Sequence, residues 1–204
     1  ELKRGNWEIR GAQKAFELSG KKAGIVGLGA IGRETLKLCA AIGMKTAGYD
    51  PFVPEEEIHS MGAEYYSDYK ALLADCDVIS IHVPLNNETR NMIGLSELKI
   101  MKPSALLINC SRGGIVNEED LAEALRERVI AGAGLDVFEK EPLLKDAPIL
   151  QAPNLIVSPH SAAQTREAVI RMAQMCVEGC LAVLNGEKWP YVADPKVYEH
   201  EKWK

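Results

Sequence analysis

The segment Gly27-Leu28-Gly29-Ala30-Ile31-Gly32 constrains the fold of this chain more than any other, because glycine stands at its first, third and sixth positions. A short apolar run at residues 23–27 precedes it and predicts a β-strand. The following stretch has one face at helical spacing, which predicts a helix that packs on a core through Ile31, Thr35, Leu38, Cys39 and Ile42. A strand that turns into a helix through such a glycine pattern is typical of the first β-α unit of a dinucleotide-binding fold.

Each glycine has a separate predicted task in such a unit. Gly27 permits the tight turn, Gly29 lets a pyrophosphate approach the backbone, and Gly32 lets the helix pack closely on the strand. The pyrophosphate would rest on free N–H groups at the start of the helix, where the helix dipole is positive. A glycine-rich turn without a ligand is the alternative for this motif taken alone.

Asp50 is a second feature of the sequence that indicates dinucleotide binding. It follows the next predicted strand, residues 44–49, and stands eighteen residues after Gly32. A carboxylate there can accept hydrogen bonds from the adenosine ribose hydroxyls and would repel a 2′-phosphate, which favours NAD over NADP. Asp50-Pro51 is also a turn initiator, which is the alternative role. Strand, motif, helix, strand and acid in this order predict that the chain binds NAD.

Strands and helices alternate along the rest of the chain. Pro54 opens a short helix with three glutamates in its first turn, where the dipole favours acids. Apolar runs predict strands at 78–83, 105–109, 131–137 and 155–157, and helical spacing predicts helices at 118–128 and 162–184. The last of these is predicted to be amphipathic and packed on a core. The fold class is therefore α/β, a Rossmann-type doubly wound parallel sheet with helices on both faces.

The net charge and the cysteine pattern limit the kinds of binding partner and the redox setting that we expect for this chain. The net charge is −5 and no basic run occurs, which argues against nucleic-acid and membrane partners. The five cysteines are odd in number, with no CxxC pair, and favour a reducing, cytoplasmic setting.

Cys176 and Cys180 lie one helical turn apart, but no further ligand residues accompany them. We expect them to be core residues and predict no metal site.

Three more segments follow predicted strands, where open α/β sheets place their ligands. They are Asn-Cys-Ser-Arg-Gly-Gly at 109–114, Leu-Asp-Val-Phe-Glu-Lys-Glu-Pro at 135–142, and Ser-Pro-His-Ser-Ala-Ala at 158–163. Each alone has a plain alternative: a surface arginine, a helix-side acid and a turn histidine. Together with the glycine segment and residues 82–89, they resemble the D-isomer-specific 2-hydroxyacid dehydrogenases, from about Gly5 to Asn185.

The resemblance implies that Arg112, Glu141 and His160 are the catalytic trio, and their chemistry agrees. Arg112 can hold the carboxylate of a 2-keto acid by a two-pronged, charge-assisted contact. His160 as imidazolium would donate a proton to the carbonyl oxygen and, in oxidation, accept it back. Glu141 would favour the charged form of the imidazole and orient the ring.

The resemblance also assigns contacts to the cofactor. It places Ala30, Ile31, Pro84 and Thr89 at the phosphates and adenine, Cys110 and Ser111 with Arg112 around the nicotinamide, and Asp136 near the nicotinamide end. Capping of a local turn is the alternative for Asp136. A nucleophilic Cys110 is not implied, because no histidine lies near it in sequence. We interpret His82 as structural.

Domain organisation follows from the same likeness. We expect an N-terminal arm or hinge with dimer contacts at 1–19, the NAD-binding Rossmann domain at 20–185, and a C-terminal arm at 186–204. This last arm would lead towards a substrate-binding domain that is largely absent from the chain. The resemblance further implies a homodimer that pairs through the cofactor domain.

The predicted function is an NAD-dependent oxidoreductase that interconverts a small D-2-hydroxy acid and its 2-keto acid, with 3-phosphoglycerate or glycerate as the favoured substrates. We expect the chain alone to turn over poorly without a substrate domain. One alternative is an NAD-sensing, corepressor-like binding module without turnover. Another is a hydrolase or isomerase that uses tightly bound NAD, which the Arg–Glu–His set fits less well.

Overall fold

The computed structural model describes residues 2–12 and 15–203 of the chain. Within them, seven parallel strands form one sheet. The strands are β1 (Lys22–Val26), β2 (Lys45–Tyr49), β3 (Glu64–Tyr65), β4 (Val78–Ile81), β5 (Leu106–Asn109), β6 (Gly132–Leu135) and β7 (Leu155–Val157). Their order in the sheet is β3-β2-β1-β4-β5-β6-β7. The order reverses direction beside β1, between β1 and β4, which is the switch point where doubly wound sheets bind ligands. The predicted fold class is confirmed.

Helices connect the strands at nearly every crossover. Their bounds are α1 (Ile9–Ala12), α2 (Ala30–Ala41), α3 (Glu55–Ser60), α4 (Tyr69–Asp75), α5 (Leu95–Ile100), α6 (Glu118–Arg126) and α7 (Arg166–Leu184). Sequence reasoning missed α1, β3, α4 and α5, which are short elements with few residues to show a period. None of the described helices is both long enough and apolar enough to cross a membrane.

Two neighbouring residues of β1 show that helices cover both faces of the sheet. Ile25 is fully buried in a cluster with Leu36 of α2 and Ile58 of α3. Val26, the next residue, is fully buried in the larger cluster, which includes Leu72 of α4 and Leu98 of α5. Successive side chains of a strand point to opposite faces, so the two clusters lie on opposite sides of the sheet.

The predicted core face of α2 is wrong. The helix buries Gly32 and Leu36, whereas Ile31, Leu38 and Ile42 are 73%, 68% and 55% exposed. Thr35 and Cys39 are half-buried. The helix packs closely on β1 through the side that carries Gly32, where a Cβ atom would lie 2.0 Å from the carbonyl oxygen of Gly27 and 3.4 Å from the Ile25 side chain.

The chain divides into two compact units, Glu1–His160 and Ser161–Lys204. In the second unit, α7 begins at Arg166 rather than at residue 162, and it buries none of its residues. The prediction that its apolar stripe packs on a core is therefore wrong for this chain. Cys176 and Cys180 are also exposed rather than in a core. Within this unit Trp189 lies against Gly179, near the end of the helix.

Candidate active site

The glycine segment forms a tight link between β1 and α2. Gly27 has φ +96°, in the region that favours glycine, and a Cβ atom there would lie 2.8 Å from the carbonyl carbon of His82. At Gly32 a Cβ atom would lie 2.0 Å from the carbonyl oxygen of Gly27. The predicted turn and packing tasks of these two glycines are therefore confirmed.

Gly29 differs from its neighbours because nothing lies within 4 Å of where its Cβ atom would be. It is the N-cap of α2, no side chain caps the helix there, and the first turn contains no acidic residue. Ala30 and Ile31, which follow it, are both exposed. The residues present therefore fit a pyrophosphate, since open space and uncapped N–H groups meet at the positive end of a twelve-residue helix.

Asp50 lies directly after β2 and beside the glycine segment. One carboxylate oxygen accepts a hydrogen bond from the backbone N–H of Leu28 at 2.8 Å, and the other accepts one from the N–H of Phe52, also at 2.8 Å. The second bond is the turn-initiating role considered for Asp50. The first bond places the carboxylate at the glycine segment, so both predicted roles fit the same geometry.

The loop after β4 closes the other side of this crevice. The Thr89 hydroxyl donates to the carbonyl of Pro84 at 2.6 Å and accepts from the N–H of Asn86 at 2.9 Å, which ties residues 84–89 into a compact turn. His82 contacts the Ser80 hydroxyl through Nε2 at 2.9 Å. Burial lowers the pKa of His82, which favours its neutral form. These features agree with a structural His82.

The loop that carries Arg112 is organised by Asn109, at the end of β5. Asn109 is buried, and its side-chain N–H group donates to the Arg112 carbonyl at 2.9 Å. Its side-chain oxygen accepts from the Ser111 N–H at 3.0 Å and hydroxyl at 2.8 Å. Arg112 itself is exposed. Sequence reasoning did not single out Asn109, although a buried polar residue at the end of an apolar strand is a recognisable signal.

Arg112 forms no ion pair with any carboxylate that the structure describes. Its guanidinium donates to the Ser111 carbonyl at 2.6 Å. Since a guanidinium carries five donors, most of its capacity is available for an anionic ligand.

Cys110 precedes these residues and is exposed. Although the residue is exposed overall, partial shielding of its thiol from water, with a further contribution from Asp136, raises the pKa of Cys110. A thiol with a raised pKa is a poor nucleophile at neutral pH. This agrees with the absence of a nucleophilic role in the prediction.

Asp136 joins the ends of three neighbouring strands. Its backbone N–H donates to the Asn109 carbonyl at 3.0 Å, and its carbonyl accepts from the His160 N–H at 2.8 Å. Its buried carboxylate accepts a hydrogen bond from the Ser158 hydroxyl. The loops after β5, β6 and β7 therefore meet at one edge of the sheet, and Ser158 is a further residue that the sequence did not reveal.

His160 and Glu141 form a hydrogen-bonded couple at this edge. The imidazole Nδ1 lies 2.8 Å from one Glu141 oxygen, and the other oxygen accepts from the Phe138 N–H at 2.9 Å. The bonds from His160 and Phe138 lower the pKa of Glu141. Because a carboxylate can only accept, Nδ1 donates, and Nε2 is left to exchange a proton.

The backbone of His160 has φ +50°, in the left-handed region. Histidine adopts that region more readily than most side chains do. The bond from its N–H to Asp136 holds it there, which fixes the direction in which the ring leaves the chain.

A pocket of about 640 Å³ adjoins the couple. It is lined by Phe138, Glu141, Pro142, Leu143, Val157, Ser158, Pro159 and His160. The couple therefore faces a concave, largely apolar space of the size that small ligands occupy. Across residues 2–12 and 15–203, no three histidine, cysteine or acidic side chains come together as a metal site.

Comparison with known proteins agrees with this site. Residues 1–162 match the family model described as the D-isomer specific 2-hydroxyacid dehydrogenase, NAD binding domain. The chain is 45% identical over 186 residues to a D-3-phosphoglycerate dehydrogenase of Methanocaldococcus jannaschii, covering 91% of this chain and 35% of the relative. It is 43% identical over 181 residues to a glyoxylate reductase of Aeropyrum pernix, covering 89% and 54%.

A solved structure shows the same likeness. D-lactate dehydrogenase with NAD+ from Lactobacillus jensenii superposes with a TM-score of 0.82 at 32% identity, over 95% of this chain and 61% of that one. The chain thus spans between about a third and three fifths of the length of these proteins. The fold, the glycine segment and the family match agree, and the chain belongs to the family of NAD-binding domains of the D-isomer-specific 2-hydroxyacid dehydrogenases.

Proposed function

We propose that this chain is the cofactor-binding and proton-transferring half of an oxidoreductase that interconverts a small D-2-hydroxy acid and its 2-keto acid. The observation that carries the proposal is the His160–Glu141 couple, 2.8 Å between Nδ1 and the carboxylate, at the same sheet edge as the Arg112 loop. A cation for the substrate carboxylate and a proton carrier for its oxygen are the two groups that this reaction needs besides the cofactor.

The cofactor would be held by the crevice at the switch point. The glycine segment and the N–H groups of Ala30 and Ile31 would take the pyrophosphate, Asp50 the adenosine ribose, and the loop from Pro84 to Thr89 the adenine side. Cys110, Ser111 and Asp136 would line the nicotinamide end. NAD supplies the hydride acceptor or donor when it is bound.

Arg112 would fix the substrate. Its guanidinium can form a two-pronged, charge-assisted contact with the carboxylate beside the reacting carbon. Asn109 holds the Arg112 carbonyl, so the loop is ordered before the substrate arrives. Such preorganisation reduces the entropy that binding would otherwise cost.

His160 would exchange the proton at the substrate oxygen through Nε2. In reduction of the keto acid the imidazolium donates this proton, and in oxidation the neutral ring accepts it. Glu141 acts through His160: its carboxylate keeps the proton on Nδ1 and stabilises the charged ring.

The substrate would be 3-phosphoglycerate or glycerate, in keeping with the phosphoglycerate dehydrogenase among the relatives. We propose that residues 20–185 are the cofactor domain, while residues 1–19 and 186–204 are arms directed to other parts of the assembly. A separate substrate-binding domain would close over the pocket, so the chain alone would turn over slowly.

We also propose that two copies pair through the cofactor domain, in a reducing, cytoplasmic setting. Trp7, Leu38 and Ile42 are 70%, 68% and 55% exposed, as residues of an interface would be in a single copy. All five cysteines are free thiols. Sedimentation of the wild-type chain and of Leu38→Glu tests the pairing, which fails if the wild-type chain is a monomer at micromolar concentration.

Two measurements test the function. Calorimetric titration of the chain with NADH should show saturable binding. Oxidation of NADH by hydroxypyruvate or glyoxylate should be slow with the chain alone and fast once the chain is joined to the substrate-binding segment of the Methanocaldococcus jannaschii relative.

His160→Ala is the decisive variant in the joined protein. It should lose turnover by a factor of about 10² to 10⁴, the usual contribution of a general acid–base group, while retaining NADH binding. His59→Ala, on the exposed surface of α3, is the matched control and should keep full turnover. Binding of NADH without turnover on any 2-keto acid would instead favour the NAD-sensing module.

A further inference from the structure

Gly113 lies where two loops of the candidate site press against each other. A Cβ atom on Gly113 would lie 1.8 Å from the carbonyl oxygen of Phe138, 2.0 Å from its carbonyl carbon and 2.6 Å from the nitrogen of Glu139. Each of these atoms belongs to the backbone, so no side-chain rotation could make room for a methyl group. The loop after β5 and the loop after β6 are therefore in direct backbone contact at this point.

On one side of this contact stands Arg112, the residue immediately before Gly113. Its carbonyl is already held by the Asn109 side chain at 2.9 Å. The backbone around Arg112 is thus fixed from β5 by Asn109 and from the loop after β6 by Phe138.

On the other side stands the proton-transferring couple. The Phe138 N–H donates to one Glu141 oxygen at 2.9 Å, and the other Glu141 oxygen is 2.8 Å from His160 Nδ1. The Glu139 N–H, in the peptide that Gly113 contacts, is held by the Glu118 carboxylate at the start of α6. Phe138 therefore contacts the arginine loop through its carbonyl and the couple through its N–H.

We propose that Gly113 is a positioning residue, whose backbone contact with Phe138 sets the separation between the Arg112 guanidinium and the Glu141–His160 couple. This inference rests on the proposed function, because that separation matters only if one substrate bridges both groups. The carboxylate and the reacting oxygen of a 2-keto acid are on adjacent carbons, so the two protein groups must keep a fixed spacing. A displacement of about 1 Å in such a site can cost about a hundredfold in rate.

The test is Gly113→Ala in the full 204-residue chain, with Gly134→Ala as the matched control. At Gly134 a Cβ atom would meet only the far end of the Ile108 side chain, at 3.2 Å, so the control adds a methyl group to β6 without touching the link. The primary readout is the pH titration of the Glu141 carboxyl carbon by NMR. NADH affinity is measured alongside it. The rate of NADH oxidation by glyoxylate is measured with the same variants in the joined protein, because the chain alone is expected to turn over slowly.

In Gly113→Ala the Phe138 peptide must move, and the Glu141 pKa should rise towards its ordinary value as that hydrogen bond is lost. The rate with glyoxylate should fall about a hundredfold, and NADH should still bind, because the glycine segment after β1 is untouched. Glu118→Ala loosens the same peptide without a clash. Because this change also removes a negative charge that interacts with Glu141, its readout is the rate with glyoxylate, which should fall while NADH affinity is kept. An unchanged rate overturns the inference if Gly113→Ala does not fold.

The failures are distinguishable. If the wild-type chain does not bind NADH, the proposed function falls and the inference falls with it. If NADH binds but Glu141 titrates identically in the wild type, Gly113→Ala and Gly134→Ala, the inference alone is overturned.

Discussion

The three glycines between β1 and α2 should respond differently to the same added methyl group. Gly29→Ala places it in open space at φ −69°, where alanine is unstrained. Gly32→Ala places it 2.0 Å from the Gly27 carbonyl oxygen. Gly27→Ala imposes φ +96° on alanine and a contact of 2.8 Å with the His82 backbone. Only the first change should leave the fold intact while blocking the cofactor.

The magnitudes follow from these distances. Gly29→Ala should change stability by less than about 1 kcal/mol, because the freedom that the unfolded chain loses is offset by the poorer fit of alanine at the N-cap of α2. Its methyl group would stand where we propose that the pyrophosphate meets the backbone, and overpacking of about 1–3 kcal/mol would weaken NADH binding roughly 5- to 150-fold. Gly32→Ala should cost about 3 kcal/mol of stability or more, since the added methyl group meets the Gly27 carbonyl oxygen and no side-chain rotation can relieve the clash.

Urea unfolding measures stability and calorimetry measures NADH affinity for each variant, with Gly134→Ala as a control in β6. The reasoning is refuted if Gly29→Ala binds NADH as tightly as the wild type. It is also refuted if Gly29→Ala and Gly32→Ala destabilise the chain equally, because the structure gives their methyl groups opposite surroundings.

Three further predictions concern charged groups. Asp50→Ser should raise NADPH affinity relative to NADH at least about tenfold, since it removes the charge that repels a 2′-phosphate; unchanged preference in fluorescence titrations would contradict this. Glu141→Gln in the joined protein should lower kcat more than it raises KM, because the role proposed for Glu141 is to orient the His160 ring through Nδ1 for proton transfer; an effect on KM alone would contradict this. Although burial opposes ionisation of Glu97, hydrogen bonds from Lys70, Ser96 and the Gly94 N–H lower its pKa from 4.5 to about 2. The ionised Glu97 therefore contributes at most about 3 kcal/mol to the free energy of unfolding. This contribution is fully present above pH 4.5 and is lost as the pH falls towards 2. The difference in the free energy of unfolding between wild type and Glu97→Gln, measured in urea, should therefore shrink from pH 6 to pH 3. An equal difference in the free energy of unfolding at both pH values would contradict the lowered pKa of Glu97.

The chain's local chemistry allowed most elements to be predicted. Buried parallel strands require continuous apolar runs, so six of the seven strands were found within a few residues of their bounds. The predicted tasks of Gly27 and Gly32, a tight turn and close packing of the helix on the strand, follow from the absence of a Cβ atom, and the structure confirms them. The strand pattern predicts that the segments at 109–114, 135–142 and 158–163 lie at one edge of the sheet, whereas the family resemblance is what implies Arg112, Glu141 and His160 within them.

Tertiary contacts decided the rest. Helical spacing predicts a core face of α2 through Leu38 and Ile42, whereas the helix packs on β1 through Gly32 and both of those side chains are exposed. The stripe of α7 has the right period for burial, yet period alone does not say which surface covers it, and α7 buries none of its residues here. Asn109, Ser158 and Gly113 matter through contacts with residues far along the chain. The spacing of apolar residues within a segment indicates the conformation of that segment. Whether two loops come into contact depends instead on how the strands that carry them pair in the sheet.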